Sequence, residues 1–203
     1  MTETLVGPFS LERDIKKSRF LARATPIASI EEAEAFIASI AAAEPDATHH
    51  CWAWQFGPHC RCHDAGEPSG TAGRPILQVV VAQKLDRVAI VVSRWFGGIK
   101  LGAGGLVRAY AGTAAECLHE APNEELIERV RLGFHCPFSL LGLIQARLPE
   151  WGVEAAAPAF DANGAWFQLV LPQALQHDIS AKLTDLTSGQ ADIRLIEDET
   201  PEA

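Results

Sequence analysis

From Ser93 to Arg108 the chain reads Ser-Arg-Trp-Phe-Gly-Gly-Ile-Lys-Leu-Gly-Ala-Gly-Gly-Leu-Val-Arg. Glycine tolerates positive φ, so such a run can turn backbone N–H groups toward a ligand. If a helix starts where the run ends, its unpaired N–H groups and partial positive charge favour an anion. Arg94, Lys100 and Arg108 supply cations beside Gly97, Gly98, Gly102, Gly104 and Gly105. The spacing is neither a P-loop nor a dinucleotide fingerprint. Two readings stay open: phosphate or other anion binding, and a tight bend needed only for packing. Trp95-Phe96 precedes the glycines, and one of the two rings can stand at the rim and stack on a ligand or partner.

A second stretch, Asp64-Ala65-Gly66-Glu67-Pro68-Ser69-Gly70-Thr71-Ala72-Gly73-Arg74-Pro75, is also turn-rich. Glu67 can act as a general base or bind Arg74 or Arg94. Gly-Glu-Pro-Ser-Gly is not the G-x-S-x-G elbow of hydrolases, and no His–Asp pair attends Ser69. The bland reading is an ordered turn with Thr71 capping the next helix. The candidate binding set therefore comprises Glu67, Ser69, Thr71 and Arg74, with Arg94, Trp95, Gly97, Gly98, Lys100, Gly102, Gly104, Gly105 and Arg108 from the first stretch. The two loops are expected to face each other across one cleft. An Arg94→Ala, Lys100→Ala variant is expected to stay folded and lose anion binding.

A third cluster, His49-His50-Cys51 and His59-Cys60-Arg61-Cys62-His63, has enough donors for zinc. Its C-x-C spacing departs from the usual paired knuckles. In a strand, His49 and Cys51 point to one face and His50 to the other, which splits the donors. No metal and no cofactor is expected. Cys117 and Cys136 read as core thiols, and no catalytic residue is assigned.

These residues need elements to hold them. Phe9–Pro26 reads as extended with a turn at Asp14–Lys17. Ser29–Ala43 is a capped amphipathic helix stopped by Pro45. Thr48–Phe56 is a strand with Trp52, Trp54 and Phe56 at period two, and Gly57–Gly73 a polar loop. Ile76–Val81 fits strand or helix. Arg87–Trp95 is a buried strand, and Leu106–His119 a helix. Beyond Pro122 the order is strand Leu126–Phe134, helix Phe138–Leu148, a hairpin of Gly152–Phe160 and Trp166–Leu171, helix Gln173–Leu186 and strand Ala191–Ile196. That is β-α-β-β-α-β, the ferredoxin-like order.

Composition bounds the rest. The 203 residues are 48% hydrophobic and 21% charged, an ordinary globular balance. Net charge is −9, so this is not a basic nucleic-acid coat. Residues 1–122 hold 12 basic and 13 acidic side chains, and residues 123–203 hold 5 and 13. The charge shift at Ala121-Pro122-Asn123 marks a boundary, giving domains 1–122 and 123–203. The acidic tail Glu197–Ala203 is expected to fray. With no apolar run of spanning length and no signal-peptide pattern, a cytoplasmic location with reduced cysteines is expected.

Gly66–Pro75 and Arg94–Tyr110 together resemble the IMPACT/YigZ family (UPF0029), in its bacterial, two-domain form. The likeness extends over Ile15–Leu118, including Lys17-Ser18-Arg19-Phe20 and His50-Cys51. It implies an α+β protein. The N-terminal domain would be an IMPACT N-terminal-like β-α fold, shared with elongation factor G domain IV, a ribosomal-protein domain and small-molecule kinases. The C-terminal domain would be ferredoxin-like, similar to elongation factor G domain V. Where the family usually has Asp-Asp-Gly, this chain has Asp64-Ala65-Gly66, which removes a second carboxylate. Arg74 replaces the family's usual Lys before Pro75, and Trp95-Phe96 its usual Tyr-Phe. The resemblance implies a non-enzymatic regulatory protein of translation that binds RNA, the ribosome or a protein partner through the glycine-rich cleft. The alternatives are an enzyme or binding protein for a phosphorylated small molecule, with the glycine loop as cradle, and a pure protein-interaction module.

Overall fold

In a computed structural model, the structure describes residues 2–196. The expected fraying of Glu197–Ala203 lies outside them. The chain divides into two compact units after Leu126. Among the described residues no helix is long and apolar enough to cross a membrane.

The first unit runs β1 (Glu3–Leu5), β2 (Phe9–Ile15), β3 (Ser18–Pro26), α1 (Ile30–Ala43), β4 (His49–Phe56), β5 (His59–His63), α2 (Gly73–Ala82), β6 (Val88–Trp95), α3 (Ala103–Glu120) and β7 (Asn123–Glu125). Five strands form an antiparallel sheet, ordered β2-β3-β6-β4-β5. The β2–β3 hairpin turns through Lys16 and Lys17, both at positive φ, as a primed two-residue turn requires. Strand β6 is central and covered on both faces, which is why it is apolar without alternation. Val88, Ile90 and Val92 pack with Ile76 and Val80 of α2 and Tyr110 and Ala114 of α3. Ala89 faces the other way, with Ala33 of α1 and Trp54. Ser29 caps α1 by accepting the Glu32 N–H, and Glu32 returns a carboxylate oxygen to the Ala28 N–H.

Three expectations change here. The supposed loop 57–73 contains a strand, β5, joined to β4 through Gly57-Pro58. Edge strands mostly face water, so β5 lacks an apolar signature. The ambiguous segment 76–81 is helix α2, with Pro75 tolerated in its first turn. Residues 123–125 pair with β1 and so belong with the first unit. The Val6 N–H donates to the Pro122 carbonyl and the Leu126 N–H to that of Thr2.

The second unit runs β8 (Arg129–Pro137), α4 (Phe138–Glu150), β9 (Ala159–Phe160), β10 (Gly164–Pro172), a 3₁₀ turn (Gln173–Leu175), α5 (Gln176–Leu186) and β11 (Ile193–Ile196). The antiparallel sheet order, β11-β8-β10-β9, is that of the split βαβ fold. Phe134 and Phe167 stack at 5.1 Å in its core. The strand expected over 152–160 shrinks to two residues, preceded by one isolated bridge at Ala155. Ala155, Ala156 and Ala157 offer little cross-strand packing, and Pro158 has no N–H to donate.

Candidate functional site

Pairing across the sheet places Phe20, Arg94 and His49 in one row at the end of β3, β6 and β4. Strand alternation sends these side chains to the α2–α3 face. Arg94 and Glu67 are buried, 5% and 9% exposed. Arg94 Nη1 lies 2.5 Å from Glu67 Oε1, and the Tyr110 hydroxyl donates to the same oxygen at 2.8 Å. The guanidinium also sits 5.5 Å from the ring centroids of Phe20 and Phe96. A carboxylate this buried survives because a cation and a hydroxyl both serve it. Arg94 Nε is buried without a hydrogen-bond partner among the described residues. His49 Nδ1 donates to the Ala65 carbonyl at 2.9 Å, and its Nε2 lies 3.9 Å from Glu67 Oε1.

The turn holding Glu67 is built on Asp64. Its carboxylate accepts N–H groups from Gly70 (2.8 Å), Ala72 (2.9 Å) and Gly73 (2.8 Å). Burial pushes this carboxyl up, but the three donors outweigh it and hold Asp64 below the ordinary range. Asp64 therefore supplies the start of α2. Thr71 does not cap it: its hydroxyl donates to the Pro68 carbonyl at 2.6 Å, inside the turn. A Cβ on Gly73 would stand 2.7 Å from the His63 backbone, so that glycine permits the turn to pack on β5.

The glycine-rich stretch divides by role. A Cβ on Gly97 would lie 1.7 Å from the Lys17 carbonyl oxygen, so Gly97 is a close-approach residue. Gly98 and Gly102 have φ of +86° and +70°. Helix α3 then starts with no side-chain cap and no acidic residue in its first turn. Its first internal bond is from the Leu106 N–H to the Gly102 carbonyl, so the N–H groups of Ala103, Gly104 and Gly105 find no acceptor within the helix.

Both stretches line one cavity of about 400 Å³, walled by Thr48, His49, Glu67, Pro68, Arg94, Phe96, Lys100, Leu101, Gly102, Ala103 and Leu106. Of the sequence-derived candidates, Glu67, Arg94, Lys100 and Gly102 thus stand together. Gly104 and Gly105 form the adjoining helical turn, and a Cβ on Gly104 would lie 3.7 Å from the Arg108 guanidinium. Ser69 and Arg74 are exposed outside the cavity wall, and Thr71 is buried in its turn. Trp95 points to the opposite sheet face, where the Arg19 guanidinium stacks 3.7 Å over it and Asp46 accepts its indole N–H at 3.0 Å. Phe96, 47% exposed, is the aromatic residue at the cavity.

Sequence reasoning did not place Tyr110 or His49 in this site. Tyr110 is the chain's one tyrosine, seven residues past the start of α3 on its buried face. The alternation of β4 already put His49 and Cys51 on a common face. Burial pushes the Cys51 thiol up to about 12, so it is a neutral core group that donates to the Asp64 carbonyl, not a nucleophile. Burial likewise raises the Tyr110 hydroxyl. His50 faces the α1 side, 3.0 Å from Ser93 Oγ and 3.1 Å from the Glu44 carbonyl. Among the described residues, no three His, Cys, Asp or Glu side chains converge as a metal cage. Beside the paired Arg94 and Glu67, the cavity wall presents Lys100 and the N–H groups at the uncapped start of α3.

Residues 16–118 match the model of the Impact N-terminal domain, and residues 134–190 that of a domain of unknown function, DUF1949. An IMPACT family member from Thermus thermophilus is 48% identical over 177 residues, covering 87% of this chain and 97% of that protein. The IMPACT family member YigZ of Escherichia coli (strain K12) is 33% identical over 197 residues, covering 95% and 96%. A crystal structure described as a hypothetical protein is 32% identical, with a TM-score of 0.73 and 98% of each chain covered.

Proposed function

The chain belongs to the IMPACT family, and on that premise we propose that it is a non-enzymatic, translation-associated regulator whose first unit grips a phosphate of RNA in the glycine-rich cleft. The observation that carries this reading is the uncapped start of α3 opening onto the cavity beside Lys100 and Arg94. Glu67 and Arg94 cancel each other in charge, and the neutral Tyr110 hydroxyl completes that pair, so the pair neither repels nor attracts an anion strongly. What remains to favour negative charge is Lys100 and the helix terminus, with the unpartnered Arg94 Nε–H as a further donor. The basic and acidic residues of this half nearly balance, so the polymer would be held locally and not by a broad basic surface.

The reading is tested with Lys100→Ala. Lys100 is exposed and its loss leaves the core intact. The variant should melt like wild type and bind single-stranded RNA more weakly, measured by fluorescence anisotropy. Undiminished RNA binding would remove the cleft from the account. Binding of a phosphorylated metabolite but not of RNA would favour a small-molecule role.

A further inference from the structure

We propose that the cleft of the first unit recognises a ribonucleotide whose 2′,3′-diol is free, the unit that ends an RNA chain. This rests on the proposed phosphate grip and concerns what lies beside it. His49 and Glu67 both line the cavity. A carbonyl only accepts, so His49 Nδ1 carries the proton of its 2.9 Å bond to the Ala65 carbonyl. Nε2 of the neutral ring is then a lone-pair acceptor. Among the described residues, the side-chain partners of Glu67 all lie against Oε1: Arg94, Tyr110 and, at 3.9 Å, His49. That leaves Oε2 as a second acceptor close to His49. The cavity thus presents two acceptors from β4 and the turn before α2. It presents donors from Lys100, Arg94 Nε and the uncapped start of α3.

The ligand must satisfy both sets at once. Two neighbouring acceptors suit two neighbouring hydroxyls, and the donors suit a phosphate on the same small unit. A nucleotide inside an RNA chain has one free hydroxyl, and so does the last nucleotide of DNA. The last ribonucleotide of an RNA has two, with its phosphate on the 5′ side. A free ribonucleoside 5′-phosphate has the same chemistry. A cavity of about 400 Å³ is near the lower end for ligand pockets and suits one such unit. Phe96, 47% exposed at the cavity, offers a ring face on which the base stacks. A phosphate added at the 3′ oxygen would remove a donor and set negative charge against the Glu67 carboxylate.

The test varies the RNA and keeps the full chain unchanged. Single strands of about 12 nucleotides, within the usual span of such sites, carry fluorescein at the 5′ end. They finish in a 2′,3′-diol, a 2′,3′-dideoxyribose or a 3′-phosphate. The two modified ends should bind roughly 10- to 150-fold more weakly than the diol, the range of one lost hydrogen bond to a charged acceptor. The 3′-phosphate discriminates most sharply, because a cleft that merely attracts anions would hold the extra charge more tightly. Either modified end binding within about twofold of the diol overturns the proposal. Phe96→Ala should weaken binding of the diol-ended RNA roughly 5- to 150-fold, the range of one lost stacking contact. Affinity within about twofold of wild type overturns the stacked nucleotide. Competition with adenosine 5′-monophosphate separates the two sources. Competition about tenfold or more weaker than that of unlabelled diol-ended RNA assigns the site to an RNA end, and equal competition to a free nucleotide. Lys100→Ala is measured alongside. Loss with Lys100→Ala and no preference among the three ends defeats the end recognition alone, whereas the converse defeats the phosphate grip alone.

Discussion

Arg94 is drawn in two directions. Its Nη1 neutralises buried Glu67, while its Nε, buried and unpartnered, belongs to a cavity wall. The first duty makes it structural. Arg94→Ala would leave the Glu67 carboxylate buried with the Tyr110 hydroxyl and no cation, at a cost of about 3–5 kcal/mol. The expectation that an Arg94→Ala, Lys100→Ala variant keeps its fold unharmed is therefore set aside. Urea unfolding should show the loss in Arg94→Ala, and an Arg94→Met, Glu67→Leu pair should recover much of it. A single variant as stable as wild type would show that the pair is solvated in solution. Residue types alone made Glu67 and Arg94 candidate partners. They did not reveal Tyr110, because a tyrosine on a helix's apolar face looks like any core aromatic until the strand row beneath it is known.

At the scale of elements, the five glycines of the 93–108 stretch do different work. Gly97 lets the end of β6 cross the β2–β3 turn, and Gly97→Ala sets a Cβ against backbone that cannot yield. Its cost should reach about 3 kcal/mol or more, the range of severe steric disruption. Gly104 sits in the first turn of α3 with only the Arg108 guanidinium nearby, so Gly104→Ala should stabilise the helix by about 0.5–1 kcal/mol. Thermal melts of the two variants check both signs. Equal melts would mean that the stretch is not divided in this way. Helices α1 and α3 and strand β6 were legible because capping, periodicity and a buried apolar run are local signals. Strand β5 was not, since an edge strand facing water carries loop-like residues. Strand β9 is shorter than the span expected over Gly152–Phe160, because alanine offers a ladder little packing and proline no donor.

At the scale of the whole molecule, the shift in charge and the exchange of backbone bonds mark different ends for the first unit. Composition changes at Pro122, but β7 continues to Glu125 on β1 and Leu126 still donates to Thr2. A fragment ending at Leu126 should therefore melt at a higher temperature than one ending at Pro122, as followed by circular dichroism. Identical melts would show that the β1–β7 ribbon adds no stability. The order β-α-β-β-α-β was readable in the second half because each element there has its own period. The most direct measurement of the central claim is RNA affinity across a salt series for wild type and Lys100→Ala. The cleft account predicts weaker binding and a slope of log K against log salt shallower by about 0.7 for a single strand. Two superimposable lines would contradict it and leave the glycines of the cleft to packing alone.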